Sequence, residues 1–268
     1  MKQKETVLIT GATSGIGLEL ARLFAKDEYQ LVIVARDEEQ LTATAAMLKR
    51  EYGAEVVTIA KDLFNPESGF ELYEEVKAKG LMIDVLVNDA GQGQYGEFAD
   101  TDVRRQLQII QLNISSLVVL THSYLQDMLA RGTGRILNLS SIASKTPGPW
   151  QAVYHATKAF VQSFTEAVRS EVKNKGIVVT ALLPGVTDTD FFNKADMNNS
   201  KAVQDKSKMA HPADVAKDGY EALMRDDDKV VSGMGNKIQV AMGNIIPDDM
   251  MADQVGKKQE PVDKSSDK

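Results

Sequence analysis

Seven short runs rich in Val, Ile and Leu recur along the chain, and the stretch between each pair has the periodicity of a helix. The runs lie at 7–10, 31–35, 56–60, 85–87, 135–139, 178–183 and, more weakly, 229–231. Continuous apolar runs of this length suit strands covered on both faces, which is the habit of parallel sheets. The stretches 15–26, 38–52, 66–79, 102–130, 152–175 and 212–225 have helical length and spacing. Parallel neighbours need a crossover connection, and a helix supplies one. The alternation therefore predicts an α/β fold, a doubly wound parallel sheet of about seven strands with helices on both faces. With 268 residues, 43% of them hydrophobic, a single domain over 1–256 is expected.

Beyond Ser232 the alternation fades. The Met-rich stretch 234–251 reads as one more helix or an extended arm packed on the domain, with Met242, Met250 and Met251 filling apolar contacts, and the segment as a whole is taken to 256. The polar sequence KKQEPVDKSSDK at 257–268 reads as a disordered tail. There is no cysteine, which removes disulfides, thiolate nucleophiles and thiolate metal ligands from consideration. The three histidines, His122, His155 and His211, show no metal-ligand spacing, so no metal site is expected. A net charge of −7, with lysines and glutamates interspersed, argues against a nucleic-acid partner. The apolar run at 7–9 is far too short for a signal-peptide core or a membrane span, and a cytoplasmic chain with no membrane partner is expected.

The first run leads directly into Gly11-Ala12-Thr13-Ser14-Gly15-Ile16-Gly17 and then into the amphipathic Leu18-Glu19-Leu20-Ala21. Strand, glycine-rich turn and helix in that order make a Rossmann-type phosphate loop. The glycines let backbone approach a pyrophosphate, and the new helix presents free N–H groups to it. Alone the loop is weak, since tight turns use glycine for steric reasons. Where NAD-binding sites place a carboxylate at the end of the second strand, this chain has Ala35-Arg36. A guanidinium there suits the 2′-phosphate of NADP; the alternative is a surface pair with Asp37 or Glu38.

A second constellation lies downstream. Tyr154 and Lys158 stand four residues apart in the first turns of the helix expected from 152, on one face. An isolated phenol is a poor base at neutral pH until a cation such as Lys158 favours its anion. Ser141 follows the fifth strand, thirteen residues before Tyr154, at the carboxyl end where open α/β sheets gather ligand-handling groups. Asn113 interrupts an otherwise apolar helix, a position that needs a reason.

The Thr-Gly-x-x-x-Gly-x-Gly loop and the Tyr-x-x-x-Lys pair together resemble the short-chain dehydrogenase/reductase family over roughly 5–192. The resemblance implies a nicotinamide cofactor and a catalytic set of Asn113, Ser141, Tyr154 and Lys158, with Asn113 holding a water that links Lys158 to solvent. It implies that Gly11, Thr13, Ser14, Gly15, Ile16 and Gly17 hold the cofactor with Arg36, Leu63, Tyr154 and Lys158, and that Asp62 meets the adenine, although Asp62 alone could be a helix cap. In Asn88-Asp89-Ala90-Gly91 it assigns a cofactor-side turn to Asn88, Ala90 and Gly91, with Asp89 where the family has a second Asn; that substitution keeps an acceptor and loses the amide donor. It assigns nicotinamide contacts to Pro184, Gly185, Thr187 and Thr189, and a substrate lid to about 190–211. The rigid Pro147-Gly148-Pro149-Trp150 loop reads either as an aromatic pocket wall or as packing.

The expectation that follows is an oxidoreductase using NADP(H), with NAD(H) the alternative, on a small carbonyl or alcohol substrate. A homodimer or homotetramer is implied by the resemblance. The rival readings are a nucleotide-binding regulatory protein that has lost turnover, and an epimerase or dehydratase, for which little chain remains to build a substrate domain.

Overall fold

The computed structural model describes residues 4–243 and 247–262. Seven strands, β1 Thr6–Thr10, β2 Gln30–Ala35, β3 Val56–Ala60, β4 Val85–Asn88, β5 Gly134–Leu139, β6 Ile177–Leu183 and β7 Lys229–Val231, form one sheet. Its order is β3-β2-β1-β4-β5-β6-β7 and every pair is parallel. The predicted α/β class and doubly wound sheet are what the chain forms.

Alternate residues of each strand serve opposite layers, as a period of two requires. On one face Val7, Ile9, Leu31 and Ile33 pack under α1 Gly15–Lys26, α2 Glu38–Tyr52 and α8 Pro212–Met224. On the other, Leu8, Val32, Leu86 and Ile136 pack under α3 Ser68–Ala78, α5 Ser116–Arg131 and α6 Ala152–Val172. The chain moves outward from β1 in one direction through β2 and β3, then returns to place β4 on the other side of β1. That reversal leaves a crevice at the carboxyl ends of β1 and β4, where open sheets bind ligands.

Three expectations change. The helix predicted over 102–130 is two helices, α4 Val103–Ile110 and α5, joined by a π turn at Gln111–Ser115. There the Ser116 amide reaches back five residues to the Gln111 carbonyl, and the Ser116 hydroxyl takes the Leu112 carbonyl at 2.5 Å. The Met-rich stretch is likewise two helices, α9 Met234–Gly243 and α10 Asp248–Gln259. Met251 is buried there, whereas Met250 is exposed. The tail expected to be disordered from 257 is ordered as far as 262, because its backbone finds partners: Lys201 and Val262 amides donate to Glu260 and Asn199 carbonyls, and Ser200 pairs with Pro261. The expectations for the Met242 side chain and for 263–268 fall outside the described residues. No helix among the described residues is long and apolar enough to cross a membrane.

Candidate active site

The glycine-rich loop leaves β1 at Gly11, whose φ of +74° favours glycine and whose amide donates to the Val34 carbonyl at 2.8 Å. Gly17, in the first turn of α1, is fixed by close approach instead. A Cβ there would stand 2.4 Å from Asp89 Oδ2 and 2.6 Å from the Gly11 carbonyl oxygen. The N-cap, Ser14, makes no side-chain cap, and the first turn of α1 carries no acidic residue. Free amides and the positive end of the helix therefore face a cleft of about 1210 Å³, lined by Gly11, Thr13, Ser14, Gly15 and Ile16. This cradle fits a dinucleotide pyrophosphate. Gly17 stands behind the lining and lets the loop close.

Arg36, Asp62 and Leu63 line the far end of the same cleft. The alternative pairing of Arg36 with Asp37 does not form: Asp37 caps α2, accepting from the Gln40 amide and side chain at 3.0 Å each. Asp62 does not cap α3, which starts after Glu67; its carboxylate accepts from the Phe64 amide at 3.2 Å in a local turn.

Ala90 and Gly91 line the cleft, but Asn88 does not. Its side chain turns into the protein and donates to Thr121 Oγ1 at 3.1 Å and Asn138 Oδ1 at 2.9 Å. Asn88 therefore ties β4 to β5 and α5 rather than touching a ligand, correcting the sequence assignment. Asp89 faces the loop, held there by its own amide and that of Ala90, both donating to Thr10 Oγ1 at 3.1 Å.

Pro184, Gly185, Thr187 and Thr189 follow β6 and complete the wall over the loop. Thr187 Oγ1 donates to the Gly185 carbonyl at 3.0 Å, and a Cβ on Gly185 would meet Asn236 of α9 at 2.3 Å. Nothing local in the sequence marks Asn236 as a site neighbour, since α9 reaches Gly185 only through the fold.

At the reacting end, Ser141 follows β5 in extended conformation, accepts from the Ala143 amide at 3.1 Å and donates to the Pro184 carbonyl at 3.3 Å. Tyr154 and Lys158 line the same stretch of cleft. Burial pushes the Tyr154 phenol up to about 12, opposed by a hydrogen bond with Ser141. Burial pulls the Lys158 ammonium down to about 8, opposed by the charge of Asp89. Burial pushes the Asp89 carboxyl up to about 7, opposed first by Lys158 and then by the Gly17 N–H. Lys158 Nζ donates to the Leu139 carbonyl at 2.8 Å and stands 5.8 Å from the centre of the Tyr154 ring. In the free protein the hydrogen bond with Ser141 is what opposes burial at the Tyr154 hydroxyl.

Asn113 does not line the cleft. Both of its amide hydrogens are taken, by the Gln92 carbonyl at 2.9 Å and Thr157 Oγ1 at 3.0 Å, while its oxygen accepts from the Gln92 amide at 3.0 Å. It clamps the chain after Gly91 to α6 from behind, with its side-chain amide engaged by protein groups.

Several site neighbours lay outside the sequence reading. Phe191 and Phe192, in the segment expected to be a polar lid, turn inward, with the Phe191 ring 5.0 Å from that of Tyr154. Ala195, Met197 and Val203 form a small core beneath them. His155 is buried, holding the Thr146 carbonyl at 2.8 Å and Gln259 of α10 at 3.2 Å. Trp150 does not line the cleft; it stacks on Tyr95 at 5.7 Å. Among the described residues no group of three or more His, Cys, Asp and Glu could hold a metal ion.

The short chain dehydrogenase family model matches residues 5–200. A Danio rerio protein named dehydrogenase/reductase SDR family member 7B is 32% identical over 255 residues, covering 91% of this chain and 82% of its own. Sulfoacetaldehyde reductase 2 of Chromohalobacter salexigens is 36% identical over 189 residues, covering 70% of this chain and 74% of its own. A short-chain dehydrogenase from Sphingobium yanoikuyae, solved in complex with NADPH, superposes with a TM-score of 0.81 at 27% identity over 98% of each chain. The chain belongs to the short-chain dehydrogenase/reductase family and is an oxidoreductase of that family.

Proposed function

We propose that this member of the short-chain dehydrogenase/reductase family is an NADP(H)-dependent carbonyl reductase, working in reverse as an alcohol dehydrogenase, in which Tyr154 exchanges the substrate proton. The observation that carries the reading is one continuous cleft with Ser141, Tyr154 and Lys158 at one end and Arg36 at the other, joined by the α1 amides. The NADPH held by the solved Sphingobium relative and the missing carboxylate at Arg36 support the choice of cofactor.

With a nicotinamide bound in this cleft, hydride transfer at its C4 would be the chemistry the cofactor supplies. The chain's own residues manage the oxygen and its proton. Ser141 donates a hydrogen bond to the substrate carbonyl oxygen and stabilises the negative charge that grows there. Tyr154 gives that oxygen a proton in reduction and takes it back in oxidation. Lys158 favours the tyrosinate by its charge and offers a donor to a ribose hydroxyl. Thr187 and Thr189, which line the cleft, would hold the nicotinamide amide. Asn113 acts from behind by holding the chain at Gln92 in place. Phe191 lies against Tyr154 and keeps bulk water from the phenol.

The test is NADPH oxidation, followed by absorbance, with a panel of aldehydes, ketones and diketones for the wild type and Tyr154→Phe. Turnover by the wild type that is lost in the variant is expected. Equal rates in the two proteins, or no turnover on any carbonyl, would overturn the reading.

A further inference from the structure

Two buried side-chain amides at the reacting end carry atoms that no protein group satisfies. Gln151, the residue before α6, is 4% exposed, and its Nε2 has no partner among the described residues. Gln259, the last residue of α10, is 9% exposed, and its Oε1 has none either. Both side chains line the cleft. The other buried side-chain atoms without a partner among the described residues belong to Arg22, Asn88, Tyr124, Arg131 and Arg135, and none of these lines it. An unpaired polar atom in a buried place costs free energy, so each needs a reason. A ligand in the cleft is a reason open to the two glutamines and closed to the rest.

Each amide is aimed by its surroundings. Gln151 Nε2, Phe191 Cζ and Tyr154 Cδ2 lie 3.3, 3.0 and 3.4 Å from the point a Cβ on Gly93 would occupy, so the amide stands beside the phenol ring. Gln259 is held at its backbone and at its side chain. Its carbonyl accepts from Ser200 Oγ at 3.0 Å and from the Tyr95 hydroxyl at 2.5 Å, and its Nε2 lies 3.2 Å from His155 Nε2. Burial pulls the His155 imidazole down, against the Thr146 and Ala143 carbonyls, which leaves a neutral ring with one N–H at pH 7. That hydrogen belongs on Nδ1, which meets the Thr146 carbonyl at 2.8 Å, so Nε2 is an acceptor and Gln259 turns its nitrogen to it. Oε1 is thereby fixed as an acceptor that lacks a donor. Gln151 stands one turn before His155, whose amide donates to the Gln151 carbonyl at 3.0 Å, so both glutamines gather at the same turn of the chain.

A donor without an acceptor and an acceptor without a donor are satisfied together by one hydroxyl, which takes a hydrogen from the first and gives its own to the second. We propose that Gln151 and Gln259 are specificity-determining residues that recognise a hydroxyl of the substrate, and that the substrate class is therefore a hydroxylated aldehyde or ketone. The inference rests on the carbonyl-reductase reading above and adds the substrate class to it. On that reading Ser141 and Tyr154 take the reacting oxygen, so the hydroxyl is a second group. The place of Gln151 Nε2 beside the Tyr154 ring sets it close to the reacting carbon.

The test compares NADPH oxidation on matched pairs that differ only in a hydroxyl, such as hydroxyacetone with acetone and the hydroxybutanones with butanone. The readout is the ratio of kcat/KM within each pair, in the wild type, Gln151→Met and Gln259→Met. The ratio in the wild type is expected to favour the hydroxylated partner and to fall by roughly 10–100-fold in each variant, the effect of one hydrogen bond lost and its partner stranded. A second readout is Tm by differential scanning fluorimetry on the full chain without cofactor. Gln151→Met removes an unpaired buried donor, so its Tm should be no lower than that of the wild type. A ratio unchanged in both variants would overturn the proposal and leave the reductase reading intact. So would equal losses on both members of a pair with a lowered Tm in Gln151→Met, which would give Gln151 a structural role. Absence of turnover by the wild type on every carbonyl would overturn the reductase reading and this inference with it.

Discussion

Replacing Asn113 by Ala separates a clamp from a relay. The substitution removes one acceptor and two donors, and it strands the Gln92 N–H and C=O, which lie in a buried segment. Thr157 keeps a partner, because its hydroxyl also donates to the Tyr154 carbonyl at 2.8 Å. Two stranded backbone groups at about 1–3 kcal/mol each, with partial rescue by water, give a loss of roughly 2–4 kcal/mol. At ~2.1 cal/mol/K per residue the unfolding entropy of a chain this size is about 0.6 kcal/mol/K, so Tm should fall by roughly 4–7 °C. The effect should reach the chemistry through geometry, since the next residue, Gly93, lies against Phe191 and Tyr154. Differential scanning fluorimetry beside steady-state kinetics reads both quantities. A Tm shift under about 1 °C together with a large fall in kcat would refute the reasoning, because Asn113 would then act on the reaction without holding the backbone.

The remaining expectations concern the loop and the proton. Tyr154→Phe should lower kcat by about 10²–10⁴-fold and leave the Kd for NADPH within about twofold, measured by quenching of protein fluorescence; a comparable loss in binding would make the hydroxyl a cofactor ligand instead. Gly17→Ala forces a methyl against Asp89 and the Gly11 carbonyl, so cofactor binding should be abolished and stability reduced by about 1–3 kcal/mol; unchanged binding would show that the loop can relax. Asp89→Asn removes the charge that favours protonated Lys158, so the Lys158 pKa should fall further below about 8. The alkaline limb of kcat for reduction should then move to lower pH by up to about one unit, and a limb that stays put or moves upward would deny the coupling.

How much was legible in the chain follows from the range over which each signal acts. Strand runs, the loop and the Tyr154–Lys158 spacing are local, and the helices predicted at 15–26 and 38–52 match their observed bounds. Asn113 announced itself as a polar residue in an apolar helix, and the π turn that accommodates it is the physical reason the helix over 102–130 divides. Its partner Gln92 could not be read, because a clamp across 21 residues leaves no spacing rule behind. Asn88 failed for a related cause: the motif fixes the turn but not which way each side chain leaves it. Asn236 and Gln259 reach the site only through tertiary packing. The tail misled because composition reports what a segment does alone, whereas 257–262 is ordered by backbone partners in the lid.

Three titratable groups that line the cleft bear on the proposed proton exchange. Burial pushes Tyr154 and Asp89 up and Lys158 down, so each is driven towards its uncharged form. For Tyr154 the uncharged form is the proton donor. With burial holding the phenol up near 12, the free site at neutral pH carries Tyr154 protonated, the form that donates in the proposed reduction. Raising the pH supplies tyrosinate about tenfold per unit, but on the proposed mechanism the charge that favours the anion is lost as Lys158, held down to about 8 by burial, gives up its proton. Oxidation should therefore rise with pH by less than Tyr154 alone would allow, and flatten beyond about pH 8 in the wild type. In Asp89→Asn the flattening should begin at lower pH, because Lys158 has lost the carboxylate that held its proton. An oxidation rate that climbs tenfold per unit through pH 9 would show that Lys158 has no hold on Tyr154.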